Sequence, residues 1–103
     1  MTIVRINDIY LVEESELSLI KKELHDNLNR NNLRVLLDMK NVKRMSSAAV
    51  EMFGEVKGWL KSQGSRMAMC RMKSELQDML LSFQELNGVK FYTEKPAALA
   101  ATW

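Results

Sequence analysis

Apolar and polar positions along the chain fall into segments with two different periods. "TIVRI" (2–6) and "IYLVEE" (9–14) are β-rich runs separated by Asn7-Asp8. That spacing predicts a hairpin with a two-residue turn. From Ser15 the period changes. Leu17, Ile20, Leu24 and Leu28 recur at spacings of three and four, so they share one helix face. "NRNN" (29–32) closes this helix. "LRVLLDM" (33–39) is continuously apolar from Val35 to Leu37, as expected of a central strand covered on both faces. "KNVKRM" (40–45) reads as a connection. The next helix is predicted from about Ala48 to Ser62, with Gly64 placed to end it in a left-handed conformation. "RMAMCRM" (66–72) is a second buried strand. "SELQ" (74–77) has the form of a capping box, with Ser74 as the cap and Gln77 reaching back. Leu76, Met79, Leu80 and Phe83 supply the apolar face of that helix, and Gly88 stops it. "VKFYT" (89–93) is a last short strand, and Pro96 opens a final helix.

The resulting order is β-β-α-β-α-β-α-β-α. Alternation of strands and helices after the initial hairpin argues for an α/β sheet with helices packed against it, joined by right-handed crossovers. Composition agrees. The chain has 103 residues, 47% hydrophobic and 27% charged, an ordinary globular mixture for one compact domain over residues 1–103. The net charge of +2 is too small to argue for nucleic acid, and no aromatic-basic stripe offers stacking platforms for bases. No stretch approaches the roughly 20 apolar residues of a membrane span. The N-terminus lacks the charged-then-apolar signal pattern, so a soluble cytoplasmic protein is expected. The single cysteine, Cys70, excludes an internal disulfide and a purely cysteine-based zinc site, and reads as a buried inert thiol.

Candidate chemistry concentrates on "RMSSAAVEMF" (44–53). A nucleophilic serine needs a base. The only histidine, His25, falls on the polar side of the first helix, and no Gly-x-Ser-x-Gly elbow surrounds the serines. There is no phosphate-cradling glycine loop and no carboxylate cluster suited to metal or acid–base work. Glu13, Glu14 and Glu16 read as a solvated helix start, and the eight methionines as adaptable packing rather than metal ligands. No catalytic residue, cofactor or metal is therefore expected. Two readings of Ser47 remain. It can cap the helix that follows, worth about 1 kcal/mol. Alternatively, it is an exposed hydroxyl that receives a phosphoryl group, which would meet unpaired N–H groups and the positive end of the helix dipole.

Over about residues 33 to 100, and loosely in its N-terminal third, the sequence resembles a STAS domain, the fold of bacterial anti-sigma-factor antagonists. The family pattern is an apolar strand ending Leu-Asp-Leu, a short loop, and Asp-Ser-Ser-Gly opening a helix that ends at a glycine. Here Leu37-Asp38-Met39 matches the strand end. Ser46-Ser47-Ala48-Ala49 falls on Asp-Ser-Ser-Gly without a gap, and Gly64 on the later glycine. "ELNGVKFY" and "KPAALAA" suit the family's last helix, strand and closing helix. The resemblance implies a mixed sheet of about 4–5 strands with about four helices. It also implies a non-enzymatic switch in signal transduction and transcription regulation. Such a switch binds an anti-sigma factor that is also a histidine-kinase-like serine kinase, and a serine phosphatase resets it. The family's phosphoacceptor position is Ser47 here, with Ser46 as the alternative. The sequence departs from the pattern where Ser46 replaces the aspartate and Ala48-Ala49 replaces Ser-Gly. "EESELSL" (13–19) also lacks the family's Gly-Glu-Leu-Asp loop. The resemblance leaves a second role open, that of a constitutive STAS adaptor subunit of a signalling or transport complex, in which Ser47 is only a cap.

Around Ser47, the basic residues Lys40, Lys43 and Arg44 form either a solvated loop or a patch that attracts an acidic partner or holds a phosphate. On the helix, Ala49, Phe53, Val56 and Leu60 share the face predicted to meet the sheet. Met52 and Trp59, seven residues apart, lie together to one side of it. They are either core margin or an extension of a partner surface formed with Lys43, Arg44, Ser46 and Ser47.

Overall fold

The computed structural model describes residues 1–7, 10–86, 88–101 and 103. The elements run in the order β1 (Thr2–Arg5), β2 (Tyr10–Leu11), α1 (Glu14–Asn27), β3 (Arg34–Asp38), β4 (Arg44–Met45), α2 (Ser47–Ser62), β5 (Arg66–Cys70), α3 (Ser74–Leu81), a 3-10 turn (Gln84–Leu86), β6 (Lys90–Tyr92) and α4 (Lys95–Ala100). Four strands form the main sheet in the order β1-β3-β5-β6, and every neighbouring pair is parallel. The sheet expected to be mixed is thus parallel throughout its described strands.

Both faces of this sheet are covered, which explains the unbroken apolar runs of β3 and β5. On one face, Val35, Leu37, Met67 and Met69 meet the apolar stripes of α1, α2 and α3. The predicted stripes hold. Leu17, Leu24 and Leu28 are buried with Ile20 at the margin, and Ala49, Phe53, Val56 and Leu60 are all buried. The other face carries a smaller cluster of Leu36, Ala68, Cys70 and Ala98, lidded by α4 and Trp103. The Trp103 indole N–H donates to the Ala98 carbonyl at 2.9 Å. The Arg34 guanidinium lies 4.8 Å from that ring and donates to the Ala101 carbonyl at 2.7 Å, tying the chain end to the start of β3.

Local signals fared unevenly. Gly64 adopts φ +72°, as its place after α2 demands, and a Cβ there would stand 2.8 Å from Asn32 Oδ1. Pro96 opens α4 as expected. The capping box does not form. The cap of α3 is Lys73, without a side-chain hydrogen bond, and Ser74 is already helical. The hairpin does not form either. β1 pairs with β3, while β2 pairs in parallel with β4 in a separate two-stranded ribbon. Asp8, half of the predicted turn, lies outside the described residues. Proximity in sequence lost to the longer partner that β3 offers. β4 itself lies in the segment that reads as a connection, because two residues carry no period to detect.

Candidate functional site

The β2–β4 ribbon sets the position of the two serines. Tyr10 pairs with Arg44 and Leu11 with Met45. The side chains of Leu11 and Met45 are buried, while Tyr10 and Arg44 face solvent, as strand alternation requires. The ladder ends where the Ser46 N–H donates to the Leu11 carbonyl at 2.9 Å. At that point the backbone turns into α2. Ser46 is extended (φ −88°, ψ 168°), and its hydroxyl accepts from the Ala49 N–H at 3.2 Å. Ser46, not Ser47, is therefore the helix cap, and the capping role expected of Ser47 is corrected by one residue. Ser47 occupies the first helical position. It is exposed, and its hydroxyl makes no hydrogen bond among the described residues.

The loop before β4 is shaped by a buried charge. Asp38 ends β3 and is completely buried. Its Oδ1 accepts from the Lys40 backbone N–H at 3.2 Å and from Arg71 Nε at 3.1 Å. Arg71 Nη2 bonds Oδ2, making the pair bidentate, and Arg5 Nε stands 3.5 Å from Oδ2. Burial pushes the Asp38 pKa up. The hydrogen bonds from Arg71 and the Lys40 N–H, with the charges of Arg71 and Arg5, outweigh burial and hold it below the ordinary value of 3.8. Arg71 reaches Asp38 from a left-handed backbone, φ +58°, which is uncommon outside glycine. The Lys40 bond and a turn from the Val42 N–H to the Met39 carbonyl at 3.1 Å bury Val42 and turn Lys40, Lys43 and Arg44 outward. Cys70, next to Arg71 and buried, has its thiol pKa raised by burial first and by the Asp38 charge second. It has the character of a packed thiol, not a nucleophile.

Lys43, Arg44, Ser46 and Ser47 thus lie together on one surface. Met52 and Trp59 do not join them. Met52 is 5% exposed and lines the crevice between α1 and α2 with Leu17 and Ala48. Trp59 stands twelve residues beyond Ser47, about 18 Å along the helix at the usual rise. Its ring stacks on His25 of α1 at 4.5 Å. Met52 belongs to the buried core, and Trp59 packs at its margin. The Asp38–Arg71 pair escaped the sequence reading because its members are 33 residues apart. An aspartate closing an apolar run was the available signal.

A family model, STAS domain, matches residues 10–97. The chain belongs to the STAS domain family. A similar solved structure is the crystal structure of a candidate anti-sigma factor antagonist from Thermotoga maritima. It has a TM-score of 0.76 and 18% sequence identity, and the match covers 94% of this chain and 84% of that one. At that identity the likeness establishes the STAS fold. No curated protein matches the chain. Among the described residues no helix is long and apolar enough to cross a membrane, and no group of acidic, histidine or cysteine side chains is arranged to hold a metal.

Proposed function

We propose that this STAS domain is a protein-interaction switch, an anti-sigma-factor antagonist that docks on an anti-sigma factor with serine-kinase activity and is regulated by phosphorylation at Ser47. One observation carries the choice of residue. Of the two adjacent serines, Ser46 spends its hydroxyl on the helix cap, and Ser47 presents a free one to solvent. The domain is the substrate, not the enzyme. Ser47 Oγ attacks the γ-phosphorus of ATP held by the kinase, the new O–P bond forms as ADP leaves, and the hydroxyl proton passes to a base of the kinase. A serine phosphatase returns the hydroxyl.

The phosphate adds about −1.5 to −2 charges at pH 7. Lys40, Lys43 and Arg44 lie in the loop and strand leading to α2, and the first turn of the helix supplies N–H groups and the positive dipole end. A partner surface matched to these cations and to a neutral Ser47 loses its fit when the phosphate neutralises them. The surface consists of Lys43, Arg44, Ser46 and Ser47, while Met52 and Trp59 act by holding α2 against α1.

Incubation with the cognate kinase and ATP, followed by site localisation by fragmentation of the intact protein, tests this. Phosphate on Ser47, and loss of partner binding on its addition, is the expected result. Phosphate on Ser46 moves the acceptor. No phosphate, with Ser47→Ala leaving partner binding unchanged, replaces the switch with a constitutive STAS adaptor.

A further inference from the structure

We propose that Arg5, Lys40 and Arg71, gathered around the buried carboxylate of Asp38, form a binding site for a phosphate monoester. All four strands of the main sheet are parallel, so their carboxyl ends lie together at one end of the sheet. In open parallel sheets ligands bind outside those carboxyl ends. Arg5 closes β1 and Asp38 closes β3. The two are register partners, so their side chains stand on the same face. Cys70 closes β5 opposite Asp38. A strand continued through Arg71 would send its side chain to the face away from Cys70. The left-handed backbone of Arg71, φ +58°, breaks the strand there, and the guanidinium reaches Asp38. Residues held in this region persist only where their surroundings fix them, and they gather at ligand clamps.

The Asp38 pair accounts for Arg71 but not for Arg5. Arg71 already bonds both oxygens of Asp38. Arg5 stands off at 3.5 Å through Nε, with its side chain 53% exposed, and makes no hydrogen bond among the described residues. Two guanidinium groups therefore crowd one carboxylate oxygen, a like-charge arrangement that a second anion relieves. Lys40 adds a third positive charge. Its backbone N–H is bonded to Asp38, and its side chain is exposed. Three cations against one carboxylate leave a local charge of +2. Beyond β6, Glu94 and Lys95 offset each other.

That charge selects the ligand. A phosphate monoester carries about −1.5 to −2 charges at pH 7, and a carboxylate about half of that. Guanidinium forks match phosphate oxygens with parallel N–H bonds. Asp38 fixes the Arg71 fork and draws that of Arg5 beside it before any ligand arrives, which lowers the cost of binding. Side chains supply all the donors, so no glycine-rich loop is required. Ser47 contributes no atom to this cluster, and the inference stands independently of the proposed function.

Titration of the unphosphorylated full chain with inorganic phosphate at constant ionic strength, followed by proton–nitrogen correlation NMR, tests it. The expected result is saturable shifts centred on the amides of Arg5, Lys40 and Arg71, with a Kd of about 0.1–10 mM for so small a ligand. Arg5→Gln weakens binding roughly ten-fold or more, with an unchanged urea midpoint to show that the fold holds. Lys40→Gln, which keeps its backbone bond to Asp38, weakens it as well. Arg66→Gln removes an equal charge at the opposite end of β5 and leaves binding unchanged. Acetate binds more weakly than phosphate. Cosedimentation with phosphatidylcholine vesicles containing phosphatidic acid, lost in Arg5→Gln, identifies a lipid headgroup as the source of the phosphate, and phosphate binding without it identifies a soluble ester. No saturable shift, an equal response to acetate, or equal weakening by Arg66→Gln overturns the site.

Discussion

Replacing each serine by alanine separates the two roles assigned to the pair. In Ser46→Ala the Ala49 N–H loses its side-chain acceptor and keeps the Ser46 carbonyl at 3.1 Å. Loss of a serine cap costs about 0.5–2 kcal/mol. Two features place this site in the lower half of that range. The bond is 3.2 Å long, and the buried Ala49 N–H still donates to the Ser46 carbonyl at 3.1 Å. The expected loss is about 0.5–1 kcal/mol. For a domain of this size that lowers the melting temperature by roughly 2–8 °C. In Ser47→Ala no hydrogen bond is lost among the described residues, and alanine is the better helix former by a few tenths of a kcal/mol. Its stability should be unchanged or slightly raised. Urea denaturation of the two variants beside the parent measures the difference, with an unchanged m-value as the control that only stability has moved. A loss of about 1 kcal/mol in Ser47→Ala with a neutral Ser46→Ala would refute the assignment of the cap, and with it the argument that the free hydroxyl is that of Ser47.

Two further predictions concern parts of the fold that hold this surface. Asp38→Asn removes the charge that Arg71 and the Lys40 N–H stabilise, and hydrogen bonds to a charged group are worth about 2 kcal/mol. Because the folded pKa is depressed below 3.8, the parent holds this contribution above that pH and loses it as pH falls through the folded value. The stability gap between parent and Asp38→Asn should be full at pH 7 and narrow as pH falls below 3.8 through the depressed folded value, and a gap independent of pH in denaturation curves would count against a charged Asp38. Gly64→Ala forces a Cβ into a left-handed residue and to 2.8 Å from Asn32 Oδ1. It should cost more than 1 kcal/mol, read as a lower urea midpoint, whereas Gly58→Ala, with open space around it, should raise stability by up to about 1 kcal/mol.

The parts of the molecule that sequence made legible are those in which many residues repeat one instruction. The stripe from Leu17 to Leu28 and the apolar runs of β3 and β5 each have several positions whose burial follows from a period or from its absence. The β1–β2 hairpin fails to form for the converse reason. Two adjacent β-rich runs state that strands exist but not which strand each will meet, and β3 supplied more apolar and backbone contact than a two-residue β2. The capping box at Ser74 failed on the same scale as the serine pair. Which residue caps a helix depends on the φ and ψ of one residue, and neighbouring serines differ by nothing in composition. Asp38 and Arg71 were illegible as a pair because their meeting depends on the register of β3 against β5, in which Asp38 lies opposite Cys70.

The exchange of aspartate for Ser46 gains a physical meaning from this geometry. Serine and aspartate are comparable helix caps, so the start of α2 and the exposure of Ser47 survive the exchange. What changes is charge. From Lys40 to Ser47 the chain carries Lys40, Lys43 and Arg44 and no carboxylate. A phosphate on Ser47 would meet these cations and the helix N-terminus, with Glu51, one turn further along α2, as the nearby anion of its own helix. With aspartate at residue 46 it would also face a like charge one residue away. On the proposed reading, a neutral residue 46 would hold a phosphate on Ser47 more firmly than an aspartate would. In Ser46→Asp the cap, and so the stability, should hold, while the phosphate on Ser47 should be removed faster by the same phosphatase. Equal dephosphorylation rates would show that residue 46 acts on the switch through the helix alone.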